Sequence, residues 1–152
     1  MKVRYAPGAS PVPLPSLGGG RQRYRPLLAV RITGPAHSLL RDTLIDTGAD
    51  DTVFPEGIAV ALGVDLASAP QLNINLAGRG PIRCRYAQAL LRITDGAHEM
   101  YEWTATIGFV PVSLKHPLLG HAGFLQFFNA DFRGADREVI LTTNPTFPGR
   151  RI

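Results

Sequence analysis

Ten consecutive residues, Leu44-Ile45-Asp46-Thr47-Gly48-Ala49-Asp50-Asp51-Thr52-Val53, hold three carboxylates, two hydroxyls and a glycine behind an apolar lead-in. The chemistry open to carboxylates is strongest in pairs. Two carboxyl groups held close cannot both ionise cheaply, so they share a proton. One can then act as base toward a water and the other as acid toward a leaving group. Such a pair titrates as a unit. Asp46 is the best-placed member, at the end of an apolar stretch where water is partly excluded. Thr47 offers a hydroxyl that can hydrogen-bond backbone and lock the loop. Gly48 has no side chain, so water and a ligand can come close, and Ala49 keeps the next position small. Asp50 and Asp51 can accept hydrogen bonds from a bound peptide backbone or pair with an arginine. Asp-Thr-Gly alone also occurs in ordinary Asx-turns between strands. The apolar run before it, the small Ala49 and the extended Thr52-Val53-Phe54 favour a reactive loop.

Other chemistries find little support. His116 and His121 are five apart, with Pro117 and Gly120 between them. That spacing does not set both on one helical face, and no metal site is expected. No phosphate loop and no Ser/His arrangement stands out, so no cofactor is expected. Cys84 is the only cysteine. It excludes an intrachain disulfide, reads as a small apolar residue, and fits a reducing compartment, here taken as cytoplasmic.

The elements that must position the loop read as strands. The chain has 152 residues, 45% hydrophobic and only 18% charged, with 16 Gly and 13 Pro. That composition suits one β-rich domain with many turns. No apolar run approaches the ~18 residues that span a membrane. Strands are expected over Leu27–Ile32, Leu39–Ile45, Thr52–Phe54, Leu72–Leu76, Ile82–Ile93 and Met100–Val110, with a last hairpin from Asn129 to Thr142. Short helices are expected over Ile58–Leu62, stopped by Gly63, and over His121–Phe128. Trp103 and Tyr101 share a strand face and read as core or interface packing. Residues 1–25, rich in Pro and Gly, read as an extended arm, 26–143 as the domain and 144–152 as a tail.

Formal charge is +4. Arginines alternate with other residues at Arg21–Arg25 and Arg83–Arg85. No stacking-aromatic pattern accompanies them, so they read as solvated strand faces and tails, and nucleic acid is not an expected partner.

The acid run resembles the active-site loop of retropepsins, the single-domain aspartic proteases of retroviruses and their cellular relatives. Pro117-Leu118-Leu119-Gly120-His121-Ala122-Gly123-Phe124-Leu125 is similar to the apolar-apolar-Gly element that passes beneath the active-site strand in that family. His121 replaces the usual arginine. By order, Leu76-Ala77-Gly78-Arg79-Gly80-Pro81-Ile82 corresponds to the family's glycine-rich lid, with Ala77, Gly78, Arg79 and Gly80 expected at the substrate beside Asp50 and Asp51. The resemblance covers about residues 26 to 142. It implies an all-β closed barrel with one or two short helices, and an aspartic endopeptidase. Because Asp-Thr-Gly occurs once and no internal repeat is visible, the carboxyl pair must come from two chains. A homodimer with Asp46 of each protomer facing across the two-fold axis is expected, acting on a peptide or protein substrate. The alternatives are a dimeric module that binds peptides without cutting them, and a processing domain that acts on one specific protein.

Overall fold

The computed structural model describes all residues except Ala77, Arg79 and Ala97. In chain order come β1 (Lys2–Arg4), β2 (Ala6–Ala9), a 3-10 turn (Pro15–Leu17), β3 (Gln22–Arg25), β4 (Leu27–Thr33), β5 (Ser38–Ile45), β6 (Val53–Pro55), α1 (Glu56–Leu62) and β7 (Gln71–Asn75). They are followed by β8 (Pro81–Thr94), β9 (Met100–Val110), β10 (Leu118–Leu119), a second 3-10 turn (Leu125–Phe127), β11 (Phe128–Arg133), β12 (Glu138–Thr143) and β13 (Arg150–Arg151). Strands take 52% of the described residues and helical turns 9%, so the all-β expectation holds at the level of class.

Alternation explains the long strands. Along β9, Tyr101, Trp103, Ala105, Ile107 and Phe109 are buried, while Thr104 and Thr106 on the opposite face are exposed. This period of two sets one face of the strand into the core. Trp103 packs against Phe124, Phe128 and Phe147, and its indole N–H donates to the Gly123 carbonyl at 3.1 Å. Each large apolar side chain buried this way stabilises the fold by ~1.5–3 kcal/mol.

The strand pairings form a circuit. β5 lies antiparallel to β4, from Leu27↔Leu44 to Thr33↔Ser38. β4 pairs with β8 at Val30↔Ile93, and β8 pairs with β9 from Arg85↔Phe109 to Thr94↔Met100. β9 pairs in parallel with β6 at Val53↔Gly108, β6 with β10 at Leu118↔Val53, and β10 in parallel with β5 at Leu118↔Leu44. The order thus returns to the strand it started from, with β7 added to β8 and β13 to β9.

Two regions depart from the sequence reading. Residues 1–25, expected as an extended arm, contribute β1, which pairs with β12 at Lys2↔Ile140 and Val3↔Val139, and a two-stranded ribbon of β2 with β3. Met1 and Val3 join the central core, as does Phe147 from the expected tail. Prolines still steer this segment: Pro7 sits in the isolated ribbon, where a missing N–H breaks no central ladder. The helix expected over His121–Phe128 is reduced to the 3-10 turn at Leu125–Phe127. The Ala122 and Gly123 carbonyls, which a helix would need as acceptors, take the Thr52 N–H and the Trp103 indole N–H instead, and Gly123 sits at φ +88. An apolar run gives no warning of either constraint.

Candidate functional site

Asp46 follows directly on β5. Leu44 and Ile45 are only partly exposed or buried, held between β4 on one side and β10 on the other. The Asp46 N–H donates to the Leu119 carbonyl at 3.1 Å, and its own carbonyl accepts from Ala49 at 3.2 Å. Its side-chain Oδ1 accepts the Gly48 N–H at 2.9 Å. This is an Asx-turn, and it fixes the carboxylate by the backbone it starts. Asp46 is half-buried, while Thr47, Gly48 and Asp50 are exposed. Among the described residues the Thr47 hydroxyl makes no hydrogen bond, so it does not lock the loop within one chain.

The far side of the loop is fastened by the segment after β10. His121 N–H donates to Ala49 O at 2.9 Å, Ala122 N–H to Asp50 O at 2.8 Å, and Thr52 N–H to Ala122 O at 2.9 Å. Asp51 and Ala122 form an isolated parallel bridge. Gly120 passes so close beneath that a Cβ there would lie 2.2 Å from the Asp51 carbonyl oxygen and 2.7 Å from that of Ala49. No side chain fits. The Leu-Leu-Gly pattern thus has a physical reason: two apolar residues fill a strand position between β5 and β6, and the glycine lets backbone pass under the loop. His121 is exposed, and among the described residues its ring forms no ion pair with a loop carboxylate.

Asp51 is held from a third direction. The Tyr86 hydroxyl, on β8, donates to its Oδ2 at 2.9 Å. Burial pushes the Tyr86 phenol above its ordinary pKa, and this hydrogen bond adds to the shift. Cys84, two residues away on the same face, is fully buried. Burial raises its thiol pKa against the opposing pull of the Tyr86 hydroxyl, so it stays a neutral packing residue. Val53, Cys84 and Val110 form a second, smaller apolar cluster, with Ile74, Leu76 and Ile82 against it. That cluster seats the base of the β7–β8 hairpin beside the acid loop.

Between loop and hairpin lies a cleft of about 290 Å³. Gly48, Ala49, Asp50 and Asp51 line it from one side and Asn73 to Leu76 from the other. The lining combines Val53, Ile74, Leu76 and Leu118 with two carboxylates and two amides. Among the described residues, no cation forms an ion pair with Asp46, Asp50 or Asp51. The hairpin closes at Asn75↔Pro81, with Gly78 at φ +73. Gly78 and Gly80 are exposed at its tip, and the expected lid residues Ala77 and Arg79 lie outside the described residues.

Asn73, Asn75 and Tyr86 are the site residues that the sequence reading passed over. The two asparagines had a signal, the polar beat of a period-two strand, but that beat marks a face without saying what it faces. Tyr86 had none. Among the described residues no group of three or more His, Cys, Asp or Glu could hold a metal ion, and no helix is long and apolar enough to cross a membrane. No protein-family model matches the chain, and no curated protein matches it.

Proposed function

We propose that the chain is an aspartic endopeptidase of the retropepsin type, working as a homodimer with Asp46 of each protomer forming one carboxyl pair. The observation that carries this reading is the seating of Leu118-Leu119 between the strand that delivers Asp46 and the strand that leaves the loop, with Gly120 beneath. An ordinary turn aspartate needs no such support. The circuit of pairings favours a closed barrel, which gives the loop a stiff base.

In this mechanism one Asp46 carboxylate takes a proton from water, which attacks the peptide carbonyl, while the other, protonated, gives its proton to the leaving nitrogen. The substrate lies extended in the cleft and pairs its backbone like an added strand. Asp50 and Asp51 accept its N–H groups, and the β7–β8 hairpin covers it, with Gly78 and Gly80 allowing close approach. The cleft's mixed lining supports a substrate with polar as well as apolar side chains.

The test is a peptide-library cleavage assay on wild-type and Asp46→Asn protein across pH ~4 to ~7, the range around carboxyl titration. Cleavage by wild type alone is the expected result, with a dimer in sedimentation at micromolar concentration. Cleavage that survives in pure Asp46→Asn protein sinks the reading. Peptide binding without cleavage assigns the site to a dimeric binding module instead.

A further inference from the structure

The alternating run Arg21-Gln22-Arg23-Tyr24-Arg25 lies apart from the acid loop's chemistry, and the ribbon gives it two unlike faces. Register sets Arg25 across from Ala6 and Arg23 across from Gly8. On the other face, the Tyr24 hydroxyl donates to Gln22 at 2.9 Å, and the Arg137 guanidinium sits 3.8 Å above the Tyr24 ring. That face is finished. The arginine face is not. With only Ala6 and Gly8 opposite, it borders a cleft of about 350 Å³ whose far wall carries Lys115 and His116.

No carboxylate lines this cleft. Among the described residues, Arg23, Arg25 and Lys115 enter no ion pair, and Arg25 is half-buried. Asp42 lines the adjoining cleft with Lys115 and His116, and it is its backbone oxygen that meets the His116 ring, at 3.3 Å. Three like charges gathered around one hollow repel each other, and an anion in the hollow relieves that repulsion.

We propose that this cleft binds an acidic peptide segment, its carboxylates resting on Arg23, Arg25 and Lys115. An extended peptide sets alternate side chains ~6.5–7 Å apart on one side. Arg23 and Arg25 repeat along their own strand in the same way, and guanidinium groups match carboxylates in forked pairs. A nucleic acid is less well served. Unpaired bases are held best on aromatic platforms; no Phe, Tyr or Trp lines the cleft, and Tyr24 is turned away under Arg137. The cleft also adjoins the acid loop's base: Ile45 N–H donates to Pro26 O at 3.0 Å and Leu44 N–H to Pro117 O at 2.9 Å. A polypeptide docked here would be tethered beside Asp46. The inference does not rest on Asp46 chemistry.

The test uses full-length Asp46→Asn protein, so that cleavage and binding fail or succeed separately. Fluorescence anisotropy compares a labelled Glu-Ala repeat peptide with its Gln-Ala counterpart at low and moderate salt. The Glu peptide should bind about tenfold tighter or more, lose affinity with salt, and lose about tenfold in Arg23→Gln/Lys115→Gln protein. Both residues are exposed. Circular dichroism checks the double variant, and Lys115→Gln alone should give a smaller loss in the same direction. Equal affinity for the two peptides, or an unchanged affinity in a folded double variant, overturns the proposal. So does displacement by low-millimolar inorganic phosphate, tighter binding of a single-stranded oligonucleotide, or a double variant that loses only self-association, which would assign the cleft to a second copy of the chain.

Discussion

Two turns border the cleft lined by Asp50 and Asp51, and they are built in opposite ways. In the acid loop every residue from Asp46 to Thr52, Thr47 apart, takes part in a hydrogen bond to the loop itself, to the segment after β10, or to Tyr86. The glycine under it has no room for one more carbon. At the hairpin tip, a Cβ on Gly78 or Gly80 would meet nothing within 4 Å. The same amino acid serves close approach in one place and unobstructed backbone in the other. A carboxylate that must be aimed belongs on the tied turn; a cover that must let a chain in and out belongs on the open one.

The contrast can be attacked in order of effect. Asp46→Asn should cut cleavage by ~10⁴-fold while leaving the thermal midpoint within a degree or two; a comparable loss from a hairpin-tip substitution would break the division of labour. Gly120→Ala drives a methyl into the Asp51 and Ala49 carbonyls and should destabilise the fold by ~3 kcal/mol or more, read as a lower urea midpoint. Near-native stability there would mean the loop is far less tied than its hydrogen bonds suggest. Tyr86→Phe keeps the ring but removes the donor to Asp51, with an expected cost of ~1–2 kcal/mol in urea unfolding. It also tests whether the hairpin strand helps hold the loop, since a raised KM with little change in kcat is the expected kinetic signature. Gly80→Ala, free of both steric contact and positive φ, should stay within ~0.5 kcal/mol of wild type.

What the sequence made legible follows the range of the interaction. Period-two runs mark β7, β8 and β9, because alternation is local. The Asp46 to Ala49 pattern marks the loop, because an Asx-turn is built from its own neighbours. The partners are another matter. Tyr86 reaches Asp51 across 35 positions, and nothing near either residue announces the other. The failed helix at His121–Phe128 has the same cause: the Ala122 and Gly123 carbonyls accept from Thr52 N–H and from the Trp103 indole, a demand made from elsewhere in the chain. Residues 1–25 look loose by composition, yet Met1 and Val3 complete the core because β12 offers them an edge. The Arg21–Arg25 alternation was visible but ambiguous until the ribbon divided its two faces.

The position of β10 carries a consequence for how the molecule comes into being. Asp46 and its loop are synthesised before the strand and backbone segment that fasten them, residues 118–122. Until that segment arrives, β5 and β6 have nothing between them, and the carbonyls of Ala49 and Asp50 have only water to accept from. Closing so long a stretch of chain must be repaid by contacts that form at once. The acid loop therefore cannot be fastened before Gly120 has been made, and a chain halted short of it leaves Asp46 without the backbone that supports its loop.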